Sequence, residues 1–111
     1  MILMPIVYVT DMDRSIAFYG SLGFELRSRS DHWSELAAGE GAVLALHLAP
    51  ATGLELALVA PEPLEQVLES HADAVARPIS DEGFGRSLVV QDPDGLRLQV
   101  NEHDPELTKT P

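Results

Sequence analysis

Leu88-Val89-Val90-Gln91-Asp92-Pro93-Asp94-Gly95-Leu96-Arg97-Leu98-Gln99-Val100 is the stretch from which the rest of the chain can be ordered. Asp-Pro-Asp-Gly offers a side-chain acceptor, a preset φ and a residue free to take positive φ, so it predicts a tight reversal between two strands. Leu96, Leu98 and Val100 then alternate with Arg97, Gln99 and Asn101, the pattern of a half-buried antiparallel strand. One face serves a core; the other, with Gln99 at its centre, is expected to carry the function.

Working outward, Ile6 to Thr10 is a β-rich run ending at Asp11-Met12-Asp13, whose aspartates suit the cap of a helix. Ile16, Tyr19 and Leu22 recur at helical spacing, and Gly23 suits its C-terminal end, so a helix of about ten residues is expected. Phe24 to Arg29 reads as a strand exposed on one side. Trp33 to Ala38 and Ala42 to Leu48 read as a hairpin around Gly39-Glu40-Gly41. After Pro50-Ala51-Thr52-Gly53 the order begins again: a strand over Leu54 to Val59, a helix after Pro61-Glu62-Pro63 with Leu64, Val67, Leu68 and His71 inward, and a strand over Ala74 to Ile79. Ser80 to Gly85 reads as a mobile loop, and Arg86 to Asn101 as the closing hairpin.

The repeat can be tested by register. Val9 on Val59 is an offset of 50, and Glu40-Gly41 on Asp94-Gly95 an offset of 54. Ala45 then matches Gln99, and Met4 matches Leu54. The expectation is an α+β fold in which two βαβββ modules form a curved eight-stranded mixed sheet, a cup with its helices on the outer face. Residues 1–111 form one domain, with modules at about 3–49 and 54–102 and a tail over 103–111 that holds a solvated His103.

Asp11, Arg14-Ser15-Ile16, Phe18-Tyr19, Leu22-Gly23-Phe24 and the distant Asp92-Pro93-Asp94-Gly95 together resemble the glyoxalase, bleomycin-resistance and extradiol-dioxygenase superfamily, also called vicinal oxygen chelate proteins. The resemblance spans residues 4 to 102 or so and implies paired βαβββ modules, usually in dimers. It implies no single activity, because the scaffold carries isomerases, dioxygenases, epoxide-opening lyases and proteins that only bind drugs. In the enzymes a divalent metal is held by His, Gln or Glu from four strands. Counting from the motifs puts those positions at Met4 and Gln99, and the repeat adds Ala45 and Leu54. That set offers one neutral amide, too few nitrogen or oxygen donors for such an ion, and a register slip to Pro5, Glu55 or Val100 leaves it incomplete. No metal and no cofactor are therefore expected.

Strand parity selects the pocket lining: Met4, Ile6 and Tyr8, then Val43, Ala45 and His47, then Leu54, Leu56 and Leu58, then Arg97, Gln99 and Asn101. His32 is expected opposite His47, both facing the pocket. Trp33 and Phe84 are candidate aromatic walls, although the same register turns Trp33 to the other face. Arg86 follows the closing loop and is a candidate contact for an anionic or planar ligand. An apolar lining with a polar strip suits binding. Neither a nucleophile elbow nor a phosphate loop is present, although acid–base work by Tyr8 or a histidine stays open.

Eighteen acidic against seven basic residues give a net charge of −11, which opposes nucleic acid and anionic lipid and favours a cationic ligand. The chain has no cysteine, so disulfides and thiolate sites are excluded, and a reducing cytoplasm is the expected setting. No run reaches the length of a membrane span, and the opening Met1-Ile-Leu-Met-Pro lacks the form of a signal peptide. The expected function is metal-free sequestration of a toxic natural product, cationic or polycyclic aromatic, by a cytoplasmic homodimer of the antibiotic-resistance kind. The alternative is a glyoxalase- or dioxygenase-like enzyme, metal-dependent or biosynthetic, and beside both stands an orphan domain binding a metabolite or partner protein.

Overall fold

Pro5 has no amide hydrogen, and the first extended segment breaks there into β1, Ile2–Leu3, and β2, Ile6–Val9. The structure, a computed structural model, describes residues 1–37 and 39–104. The expected tail beyond Asp104, and Ala38 at the end of the expected third strand, lie outside the described residues. Contacts divide the chain into a first unit, residues 3–55, and a second, residues 56–104 with Met1–Ile2.

In the first unit Asp11 is extended, and its carboxylate accepts the Arg14 amide at 3.1 Å, capping α1, Met12–Ser21. β3, Glu25–Arg29, β4, Trp33–Ala37, and β5, Val43–Leu48, follow, and β6, Gly53–Glu55, completes a five-stranded sheet of order β3-β4-β5-β2-β6. β2 runs parallel to β5 and antiparallel to β6, so the sheet is mixed. Met12 of α1 packs with Val9, Leu36 and Leu46 to form the core on one face. Leu22, expected inward, caps the helix and is exposed. β3 is exposed along its whole length rather than on one side, as an edge strand bearing Glu25, Arg27 and Arg29 permits.

The expected fifth strand is also broken, at Leu56. Its first half is β6; its second half, β7, Ala57–Val59, belongs to the second unit. There α2, Leu64–Ser70, β8, Val75–Glu82, β9, Gly85–Gln91, and β10, Arg97–His103, build a sheet of order β1-β7-β10-β9-β8. Leu64, Val67, Leu88 and Val100 form its core, and His71 ends α2 with a ring nitrogen 3.2 Å from the Val67 carbonyl oxygen. The α+β fold of two βαβββ modules therefore holds, with ten strand segments among the described residues in two five-stranded sheets instead of eight strands in one.

Two local readings change. Ser80 to Gly85 is mostly strand, with Ser80 opposite Ser87, Asp81 opposite Arg86 and Glu82 opposite Gly85. Polar composition concealed it: β8 is an edge strand, interrupted by Pro78 and by two register shifts. His103 lies at the end of β10, with its ring 5.2 Å from that of Phe84. Among the described residues no helix is long and apolar enough to cross a membrane.

Candidate functional site

Each sheet buries one face under its own helix, so chemistry is sought on the other. In the first unit the register places Trp33 opposite His47, His47 beside Tyr8, and Tyr8 opposite Gly53. The next row on the same face is Glu35, Ala45, Ile6 and Glu55. Trp33 and Tyr8 flank the His47 ring at centroid distances of 5.6 and 5.4 Å. Below them Ala45 and Ile6 are buried and form a low apolar floor.

The ends of that floor are acidic. The Trp33 indole Nε1 donates to Glu35 at 2.9 Å, and the Tyr8 hydroxyl donates to Glu55 at 2.9 Å. Each carboxylate is thus oriented by an aromatic neighbour one row away, and both groups are only partly buried. The two positions are three strand spacings apart, roughly 14 Å. The His47 Nδ1 lies 2.8 Å from the Leu48 carbonyl oxygen, a contact that fixes the ring.

Several expected positions move. His32 lies outside the strands and is exposed, and Trp33 takes the place opposite His47, because the hairpin register, with Trp33 on His47 and Ala37 on Val43, is one residue from the expected one. Leu54 pairs with Val7 on the helix side and is 75% exposed. The cause is a one-residue error in the repeat: Ile6 pairs with Ala45 as Ala57 pairs with Gln99, so the offset of the first strand is 51, not 50. Met4's counterpart is therefore Glu55, which strict parity from Leu54 hid. The same slip removes Leu58, which packs in the second core, and leaves Leu56 at the strand break, where its carbonyl oxygen accepts the Gln99 amide. Met4 and Ile6 are buried, as is Ala45.

In the second unit the matching face carries Ser87, Asn101 and Val59 in one row and Val89, Gln99 and Ala57 in the next. Asn101 donates to the Gln99 side-chain oxygen at 3.1 Å, while its own Oδ1 is buried with no hydrogen-bond partner among the described residues. Arg97 is exposed at the start of β10, and Phe84 sits in the turn before β9. Arg86, a candidate ligand contact, is engaged structurally. It pairs with Glu102 at 2.8 Å and Glu65 at 2.7 Å, and Glu102 in turn accepts the Leu64 amide at 3.0 Å. Pro63 has no side chain able to cap α2, so a carboxylate from β10 caps it instead. Hydrogen bonds from Arg86 hold both the Glu65 and Glu102 carboxyls below the ordinary carboxylate range, against the opposing effect of desolvation.

The model of the Glyoxalase/Bleomycin resistance protein/Dioxygenase superfamily matches residues 2–66, more than half of the chain. The chain belongs to this superfamily. Three solved structures show the superfamily fold. A chain described as NAD-dependent benzaldehyde dehydrogenase from Legionella pneumophila is 24% identical with TM-score 0.73, over 92% of this chain and 99% of that one. A glyoxalase/bleomycin resistance protein/dioxygenase superfamily member from Vibrio splendidus 12B01 is 24% identical with TM-score 0.62, over 90% and 97%. Homoprotocatechuate 2,3-dioxygenase from Brevibacterium fuscum is 22% identical with TM-score 0.67, over 90% of this chain but 35% of its own. No curated protein matches.

Superfamily enzymes imply a divalent metal, and the residues at the corresponding positions do not fit one. Met4 and Ala45 offer a thioether and a methyl group, Glu55 is held by Tyr8, and Gln99 is an amide held by Asn101. Among the described residues no three His, Asp or Glu side chains gather as a metal site.

Proposed function

We propose that the protein binds a planar, cationic aromatic molecule on the Trp33–His47–Tyr8 face and holds it chemically unchanged, sequestering a toxic natural product as a cytoplasmic homodimer. The observation that carries this reading is the pair of carboxylates, Glu35 and Glu55, each fixed by an aromatic hydrogen-bond donor at either end of an apolar floor. Rings at Trp33 and Tyr8 attract a cation through their faces, and the floor gives a flat ligand an apolar surface. The net charge of −11 raises the local concentration of such a ligand. Titration of the chelator-treated protein with a planar cationic acridine, read by quenching of Trp33, tests it. Saturable quenching with the dye recovered unchanged by mass spectrometry is expected, and equal affinity for a neutral analogue of the same shape would refute the charge argument. Native mass spectrometry of the same sample reads the dimer.

A second reading rests on the contact between the Tyr8 hydroxyl and Glu55 beside His47, which assembles groups able to exchange a proton. Under that reading the protein is a metal-free biosynthetic enzyme. Conversion of the bound molecule, lost in Tyr8→Phe, would select it over sequestration.

A further inference from the structure

The first unit has a concavity of 460 Å³ at the place where the pairing of β2 with β6 ends, at Tyr8 and Gly53. Tyr8 is the last residue of β2 paired with β6, so beyond it Val9 has a strand only on the β5 side. α1 contacts β3 and β5, and the corner between its outer turns and the open edge of β2 stays uncovered. Val9, Phe18 and Tyr19 supply apolar wall, and Thr52 and Gly53 close the far side. Phe18 is 57% exposed, a large ring facing solvent one helical turn from Arg14.

Two opposite charges line this corner, and they are not paired with each other. Arg14 makes no side-chain hydrogen bond or ion pair among the described residues, unlike Arg29, which engages Asp13, and Arg86. Asp11 uses one carboxylate oxygen on the Arg14 backbone amide at 3.1 Å, which fixes the side chain and leaves its second oxygen without a partner among the described residues. An anion alone would meet Asp11, and a cation alone would meet Arg14. A molecule carrying both charges satisfies both.

We infer that this pocket binds a small zwitterion with an apolar side chain, of the amino-acid or dipeptide class. Its carboxylate lies on Arg14, its ammonium group on Asp11, and its side chain against Val9, Phe18 and Tyr19. The volume falls within the range of small-molecule sites, and the stacking of a ring on Phe18 and Arg14 favours an aromatic side chain. Tyr8 borders this pocket as well, and the inference does not rest on the ligand proposed for the Trp33–His47–Tyr8 face.

Amide chemical-shift titration of the full chain with L-phenylalanine, 3-phenylpropionate and phenethylamine tests it. Phenylalanine is expected to shift the amides of residues 11–19 and of Thr52 and Gly53, and to bind about tenfold or more tightly than either singly charged analogue. Arg14→Ala, at an exposed helix position where folding is retained, should weaken phenylalanine to the level of phenethylamine, and Phe18→Ala should weaken all three ligands. Equal binding of the three compounds, unchanged affinity in Arg14→Ala, or shifts located elsewhere would overturn it.

Discussion

The two units share one register and carry different chemistry on it. Trp33, His47 and Tyr8 in the first unit correspond to Ser87, Asn101 and Val59 in the second, and Glu35, Ala45 and Ile6 correspond to Val89, Gln99 and Ala57. One face is aromatic with fixed carboxylates; on the other Ser87 accepts from the Arg77 guanidinium at 3.1 Å and Asn101 donates to Gln99, while Asn101 Oδ1 has no hydrogen-bond partner among the described residues. Their helices differ in the same sense: α1 is capped locally by Asp11, and α2 by the distant Glu102. A shared backbone therefore constrains where side chains point, while each unit spends its polar groups differently.

The comparison breaks most severely at Gly85. A Cβ there would lie 2.0 Å from the Glu102 carbonyl oxygen, at a φ of 149° that side chains rarely adopt. Gly85→Ala is expected to cost about 3 kcal/mol, read as a lower denaturant midpoint, because backbone rather than a flexible side chain must yield. A normal midpoint would mean that β9 and β10 are not held so closely.

Glu35→Gln and Glu55→Gln sharpen the contrast of the two faces. Each should weaken a planar cation about tenfold and leave a neutral analogue unchanged, as expected from loss of one charge-assisted contact. Isothermal titration with both compounds distinguishes this from a loss of shape.

The distant cap of α2 is expected to make the second unit acid-sensitive. In the folded chain hydrogen bonds from Arg86 hold the Glu65 and Glu102 carboxyls below the ordinary glutamate range. Their contribution to stability is therefore present above the unfolded value and lost as pH falls through the folded values. Glu102→Gln should flatten the stability profile below pH 4.5 and remove part of the α2 cap, and Glu102→Ala should cost about 1 kcal/mol at neutral pH. A profile as steep as that of the parent protein would place the acid response elsewhere.

The smallest effect is expected at Ser34, whose hydroxyl is buried on the core face without a partner among the described residues, where the repeat puts Leu88 in the second unit. Ser34→Ala removes an unsatisfied group and should be neutral or stabilising by up to about 1 kcal/mol, measured by thermal unfolding.

Much of this fold was legible because period and punctuation agree. Asp11 marks the start of α1, and Asp92-Pro93-Asp94-Gly95 marks the turn before β10, where the Asp92 carboxylate accepts the Asp94 and Leu96 amides. The site was less legible because parity carries one-residue errors undiminished along a strand. Placing Leu54 under Met4 turned Glu55 away from the face, and pairing His32 with His47 did the same to Trp33 and Glu35. The strand breaks at Pro5 and Leu56 left only a faint signal, and nothing local foretold that Arg86 would be committed to Glu65 and Glu102.

Pro78 in β8 has a consequence for the protein in a crowded cell. β8 is the outermost strand of its sheet, and its ladder to β9 shifts register between Val75 and Arg77 and again between Arg77 and Ser80, across that residue. A neighbouring chain seeking to extend the sheet would meet a missing donor and an uneven row of acceptors, so growth by strand addition stops at this border. The interruption that makes β8 difficult to read as a strand is thus also a guard against aggregation at high concentration.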